Sequence, residues 1–327
     1  MTQQCDESQP DQPDQPDQPD QPDQPDQPDQ QGRPALISVV LPTFNGARYL
    51  AESLDSLLAQ SYPHWELIVV DDASTDETPA IIERYSARDA RIRSVRHEQN
   101  RRLPAALNSG FAAARGGYLS WTSDDNRYRP HALATLAAAL DAHPEIDFVY
   151  SSFDIMDDSG QVIAHHPAHP PEALLSGETS NACFLYRRAV YTHLGNYAED
   201  LFLAEDYDYW LRVFLGGHHM MALAETLYDY RRHQRSLTDA YRGQTFAAAE
   251  RAVLRNMPAI AASGARVRGE AYLFLASLAS WRGERRRSLA YALRALRYTP
   301  GKLGRQSTAF FLRRIPVVGR SIRPDAP

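Results

Sequence analysis

Cysteine is nearly absent: the 327 residues hold two, Cys5 and Cys183. With Cys5 in a segment unsuited to folding, a disulfide framework is excluded and a reducing compartment is implied. Long apolar runs are missing as well. No stretch reaches the roughly 18 residues that a membrane-spanning helix needs, and the N-terminus has no apolar signal core. These absences predict a cytoplasmic protein. Two phosphate-binding signatures are also missing. No G-x-G-x-x-G follows the first predicted strand, which disfavours an ordinary dinucleotide fold, and no G-x-x-x-x-G-K-[ST] occurs.

What is present divides the chain into three regions. Residues 9–30 read Gln-Pro, six copies of Asp-Gln-Pro, then Asp-Gln. Proline at every third position forbids a helix, and there is almost no apolar surface to bury. Residues 1–33 are therefore expected to form a disordered, extended tail. Its first 31 residues carry nine acidic and no basic side chains. The opposite end is basic: residues 251–327 hold 16 Lys+Arg against 3 Asp+Glu, although the whole chain carries a net charge of -6. Such a segment suits an anionic membrane surface or another anionic partner, and equally the wet face of ordinary helices.

Between these ends, hydrophobic periodicity predicts alternating strands and helices. "LISVVL" at 36–41 is a buried strand stopped by Pro42, and Leu50, Leu54, Leu57 and Leu58 share a helical face. "HWELIVVDDAS" is a second strand followed by a helix from about Thr78, "RIRSVRH" a third, and "GYLSWTS" a fourth. This alternation argues for a mostly parallel sheet flanked by helices. From about residue 147 the pattern turns α+β, with two strands joined by an Asp-Asp-Ser-Gly turn, a strand and short helix, a helix opened by "AED", and a strand entering "RRHQR". Residues 271–298 read as a helical hairpin whose apolar stripe is Leu289, Ala292, Leu293 and Leu296.

In such sheets ligands bind beyond the carboxyl ends of the strands. The polar clusters fall there: Thr43-Phe44-Asn45 after strand one, Asp71-Asp72 after strand two, and Ser123-Asp124-Asp125 after strand four. Adjacent carboxylates about 4 Å apart repel by roughly 4 kcal/mol at an effective dielectric near 20. A solvated turn relieves that repulsion, and a hard divalent cation exploits it.

"SVVLPTFNGARYLAESLDSLLAQSYPHWELIVVDDASTDET", "NRRLPAALNSGFAAARGGYLSWTSDDN" and "AEDYDYWLRV" together resemble the family 2 inverting glycosyltransferases of the GT-A fold. The resemblance covers about residues 36–235. It implies a nucleotide-diphospho-sugar donor (a UDP-sugar first), a divalent metal (Mn²⁺ or Mg²⁺), and a hydroxyl on a glycan or lipid-linked acceptor, as in polysaccharide biosynthesis. No nucleic-acid partner is implied. By the family's D-x-D-type motif, Asp125 is the metal ligand and Asp124 contacts the ribose or the metal's waters. Here that motif begins with Ser123, where many members have Asp. Asp72 matches the acid that accepts from the nucleobase imide, its other reading being a cap on the following helix. Thr43 and Asn45 match the loop that touches the nucleotide, although Asn45-Gly46 is also a turn pair. Arg102, with Arg101 competing, matches a nucleotide contact. Glu205-Asp206 matches the family's acidic pair, with Asp206 as the general base that inversion needs. Trp210 packs under the acceptor or in the core. His233 is a further metal ligand or phosphate contact, and Arg231, Arg232 and Arg235 suit diphosphate neutralisation.

The expected organisation is a GT-A domain over 34–238, with a nucleotide-binding half (34–130) and an acceptor half (131–238), then a basic helical region over 239–327. The basic end could touch an anionic membrane at its inner face. A catalytically inactive nucleotide-sugar-binding or scaffold protein is the rival from another class, and Asp72, Asp125 and Asp206 argue against it.

Overall fold

The computed structural model describes residues 34–177 and 182–299. The Asp-Gln-Pro tail and the last part of the basic C-terminal region, residues 300–327, lie outside the described residues. The first half of the described chain runs β1 (Ile37–Thr43), α1 (Leu50–Leu58), β2 (Trp65–Asp71), α2 (Thr78–Arg88), β3 (Ile92–Arg96), α3 (Arg102–Ala113) and β4 (Tyr118–Trp121). It continues with β5 (Arg127–Tyr128), α4 (Ala132–Ala142), β6 (Phe148–Met156), β7 (Val162–His166), β8 (Phe184–Arg187), α5 (Arg188–Leu194), α6 (Glu205–Leu215) and β9 (Met220–Arg231). Five helices close it: α7 (Leu237–Ala240), α8 (Arg242–Arg255), α9 (Met257–Ala262), α10 (Ala265–Trp281) and α11 (Arg285–Leu296).

Among the described residues the strands form one sheet, ordered β3-β2-β1-β4-β8-β6-β9-β5, with β7 paired to β6. Pairing is parallel from β3 through β4, antiparallel across β8 to β6, parallel again between β6 and β9, and antiparallel at β5. The sheet is thus parallel through its first half and mixed beyond β4. Every residue of β1 and β2 is buried, as expected for strands covered on both faces. Side chains alternate between two cores. Val39, Leu41, Leu67 and Val69 face α1 and α4, while Val40, Ile68 and Val70 face α3 and the later helices. Gly110 on α3 lets that helix approach β1, because a Cβ there would lie 2.3 Å from Val40 Cγ1.

Two expectations need correcting. Pro42 does not stop β1, which runs to Thr43. Pairing with β4 ends at Val40 and Trp121, so the N–H that proline lacks would face a side with no strand left to accept it. The stripe of Leu289, Leu293 and Leu296 does not face the core: their exposures are 61%, 55% and 38%. α11 turns Tyr291 and Ala295 inward instead, where Tyr291 stacks near Tyr272 of α10 and Ser288 donates to the Ala276 carbonyl.

The closing helices share the core of α6. Phe274, Leu275, Leu278, Ala248 and Ala252 pack in one cluster with Tyr207 and Trp210. Buried Glu250 joins α8 to the hairpin, pairing with Arg282 and Arg287 and accepting from Tyr291. Asn256 Nδ2 donates to buried Asp208 at 2.8 Å.

Candidate active site

β1, β2 and β4 end at the same edge of the sheet, and the loops that leave them line a cleft of about 1620 Å³. Thr43 Oγ1 donates to Asp124 Oδ2 at 2.5 Å, joining the first and third loops. Gly46 packs tightly beside them, since a Cβ there would lie 2.0 Å from Asp124 Oδ2 and 2.4 Å from Thr43 Oγ1. Asn45 takes a left-handed conformation, with φ 55, and its Oδ1 accepts from the Thr75 N–H at 2.8 Å. Its backbone N–H donates to Ser74 Oγ at 2.9 Å. The side chain of Asn45 thus fastens the β1–α1 loop to the β2–α2 loop while lining the cleft.

Asp72 reaches the cleft wall with its carboxylate already engaged. The backbone N–H groups of Arg101 and Arg102 each donate to it at 2.8 Å, and His97 Nδ1 lies 2.6 Å from its Oδ1. His97 Nε2 in turn lies 2.8 Å from Ser109 Oγ. Asp72 therefore satisfies the opening of α3 rather than capping α2, which Asp76 serves. His97 has no motif around it, and only the fold reveals it as Asp72's partner. Arg102 holds φ 71 and lays its guanidinium 5.2 Å from the Phe202 ring centroid, at the cleft's edge. Arg101 points toward Glu199, at 3.9 Å.

Asp125 and His233 meet: His233 Nε2 lies 3.0 Å from Asp125 Oδ2, although 108 residues separate them. Burial, then the neighbouring Asp125 charge, push the Asp124 carboxyl up to about 7. Two adjacent carboxylates and an imidazole on one cleft wall suit a hard or borderline divalent cation. Among the described residues no self-sufficient cluster of three or more His, Cys, Asp or Glu ligands occurs.

Arg231 is a correction. It was expected to face the diphosphate, but its side chain is buried. It donates to Glu52 Oε2 at 2.5 Å and to the carbonyls of Asp125, Asp157 and Asp158. Arg231 is consumed in holding the β4–β5 loop against α1. Arg232 pairs with Asp239 at 2.7 Å, and exposed Arg235 lines the cleft.

Glu205 and Asp206 open α6 on the same cleft. Glu205 is 3% exposed, its Oε2 has no hydrogen-bond partner among the described residues, and burial pushes its carboxyl up to about 8. Asp206 is half-buried. Its Oδ1 accepts from the Tyr207 N–H at 2.6 Å, and burial raises its carboxyl above the ordinary range. Trp210 belongs to the core, edge-on to Phe148 and Phe184 at 4.8 and 4.6 Å. The far wall of the cleft was not foreseen. Phe246 and Ala249 of α8 and Phe274, Leu278 and Trp281 of α10 form it. The signal available was a second apolar stripe in "YLFLASLASW", at i, i+4 and i+7.

Residues 38–201 match the family model described as "Glycosyl transferase family 2". EpsE of Bacillus subtilis (strain 168) is 33% identical over 216 residues, covering 64% of this chain and 76% of that protein. Other relatives are longer, and the match spans as little as 18% of one of them. Among solved structures, S. aureus TarS 1-349 in complex with UDP-GlcNAc superposes with TM-score 0.60 at 20% identity, covering 80% of this chain and 79% of that one. The mannosyltransferase PcManGT from Pyrobaculum calidifontis, in complex with GDP-Man and Mn²⁺, superposes with TM-score 0.58 at 21% identity over 86% of this chain and 79% of that one. With the family model matched across half of its length, and the fold of these transferases around its cleft, the chain belongs to the family 2 glycosyltransferases and has the GT-A fold.

Proposed function

We propose that this protein is an inverting, metal-assisted glycosyltransferase. It would move a sugar from a nucleotide-diphospho-sugar, a UDP-sugar first, to a hydroxyl of a glycan or lipid-linked acceptor. The observation that carries this reading is the convergence of Asp125, His233 and Asp206 on one cleft from three distant parts of the chain. The fold-mates bound to UDP-GlcNAc and to GDP-Man with Mn²⁺ support the donor class.

In this reading Asp125 and His233 would hold a divalent cation, with Asp124 beside them, and such a cation would supply compensation for negative charge on the diphosphate. Exposed Arg235 and the Arg102 edge add positive charge at the same wall. Thr43, Asn45 and Asp72 position the nucleotide, with the one lone pair left on Asp72 Oδ2 as the acceptor for the base. Asp206 accepts the proton of the attacking acceptor hydroxyl. Burial raises its basicity toward the working range of a general base, and burial and the neighbouring Asp206 charge raise the Glu205 carboxyl as well. A lipid-linked acceptor would be met at a membrane surface, where the basic C-terminal helices are proposed to sit.

A panel of UDP-, dTDP- and GDP-sugars, followed by donor hydrolysis and by melting shifts with and without Mn²⁺ or Mg²⁺, tests the reading. One nucleotide should stabilise the protein in a metal-dependent way and be slowly hydrolysed. Asp125→Asn should abolish that metal dependence while the unliganded melting temperature stays put. Metal-independent turnover in the variant equal to the native rate would refute the assignment, and binding without any turnover would favour the inactive scaffold.

A further inference from the structure

Nine large apolar side chains are exposed among the described residues, and three of them, Leu289, Leu293 and Leu296, lie on α11. At about 3.6 residues per turn they share one narrow arc. Arg285 flanks that arc on one side, and Arg286 and Arg297 flank it on the other. All three arginines are exposed, and none forms an ion pair with a carboxylate of the described residues. The contrast with Arg282 and Arg287 is sharp, since those pair with Glu250 and Glu284. The outer face of α11 is therefore a leucine stripe with cationic borders. An amphipathic helix that lies in a lipid interface has this composition, with leucines entering the acyl boundary and arginines reaching the headgroups.

We propose that α11 seats the protein on a bilayer containing anionic lipid. Charge selects this occupant. Residues 251–327 carry 16 Lys+Arg against 3 Asp+Glu, so an anionic surface complements the face and a second copy would set like charges together. The acidic tail of this chain is a poor alternative, because residues 9–30 contain only Asp, Gln and Pro and offer nothing to the leucines. The seat also has a use, which rests on the lipid-linked acceptor reading. α10 presents Phe274, Leu278 and Trp281 to the cleft, and its opposite face, with Tyr272 and Ala276, packs on α11. The cleft's apolar wall thus stands one helix layer, about 8–10 Å between axes, from the proposed membrane surface.

Co-sedimentation of the full chain with vesicles of phosphatidylcholine, alone or mixed with phosphatidylglycerol, tests this seat. Binding should require phosphatidylglycerol and weaken with salt. Leu289→Glu/Leu293→Glu should cut partitioning at least about tenfold. Arg285→Gln/Arg286→Gln/Arg297→Gln should cut it by roughly fivefold per arginine. Both variants alter exposed side chains and should keep the native melting temperature and native donor hydrolysis without vesicles. That readout separates loss of the seat from failure of the glycosyltransferase reading. The proposal is overturned by absent binding, by equal binding to both vesicle types, or by variants that bind like the native chain while deletion of 302–327 abolishes binding. A dimer in gel filtration that Leu289→Glu/Leu293→Glu dissolves, without vesicle binding, would assign the face to a second copy.

Discussion

Asp206 and Glu205 are adjacent, yet one faces the cleft half-buried and the other is 3% exposed with an oxygen that has no hydrogen-bond partner among the described residues. Their roles separate accordingly. Asp206→Asn should retain nucleotide and metal binding, because Thr43, Asp72 and Asp125 lie on other loops of the cleft. Transfer should fall by about 10²–10⁴-fold, the usual worth of a positioned acid or base. Joint loss of donor binding and transfer would instead mark Asp206 as structural. Glu205 makes a thermodynamic prediction. Its folded carboxyl titrates near 8 against an ordinary 4.5, so the folded state keeps a proton that the unfolded state has lost in between. That contribution to stability is complete below about 4.5 and is lost as pH rises toward 8, by at most roughly 1.4 kcal/mol per pH unit. Glu205→Gln removes the titration. Melting curves across this window should show the variant gaining on the native protein as pH rises, and a constant difference would disprove the buried proton.

The loops after β1, β2 and β4 work as one element. Asn45 fastens the first to the second, and Thr43 fastens the first to the third through Asp124. Gly46 is where this joint is tightest. Gly46→Ala places a methyl group against the side chains of Asp124 and Thr43, so the Asp124 carboxylate must shift while the strands beneath keep their packing. Misplacement of about 1 Å can cost up to 10²-fold in rate. The expected outcome is a near-native circular dichroism spectrum with weakened donor binding. Unchanged donor affinity, measured by calorimetry, would show that the Thr43–Asp124 link has no part in shaping the site. Asp72 performs a similar service for α3, and the periodicity of α3 contains no hint of a carboxylate 30 residues upstream.

At the scale of the molecule, α8 and α10 are wall and core at once. They complete the cleft, and they bury Leu275, Leu278 and Ala252 in the cluster that holds α6. A chain ended at residue 241 would uncover the apolar side of α6. Each large side chain stripped of its burial costs about 1.5–3 kcal/mol, and a few such losses consume a typical margin of about 5–15 kcal/mol. The truncated protein should be insoluble or should melt without a cooperative transition, even though it retains the whole family-matched segment. A soluble, cooperatively melting product would show that the C-terminal helices are dispensable to the fold.

Local chemistry determined much of this from sequence alone. β-branched runs ending in polar residues marked β1, β2 and the edge where the loops meet, because burial on both faces demands continuous apolar strands and turns demand polar residues. The clusters Thr43-Phe44-Asn45, Asp71-Asp72 and Ser123-Asp124-Asp125 were legible for the same reason, and Glu205-Asp206 was singled out by the family resemblance. Tertiary structure alone decided which arginine faces the cleft, since Arg231 and Arg235 look alike until Glu52 claims the first. It alone paired His97 with Asp72. It also decided which stripe of α11 is buried, because periodicity shows that a helix has an apolar side and only packing shows whether a neighbour covers it. These outcomes depend on contacts between residues far apart in the chain, and no local pattern encodes such contacts.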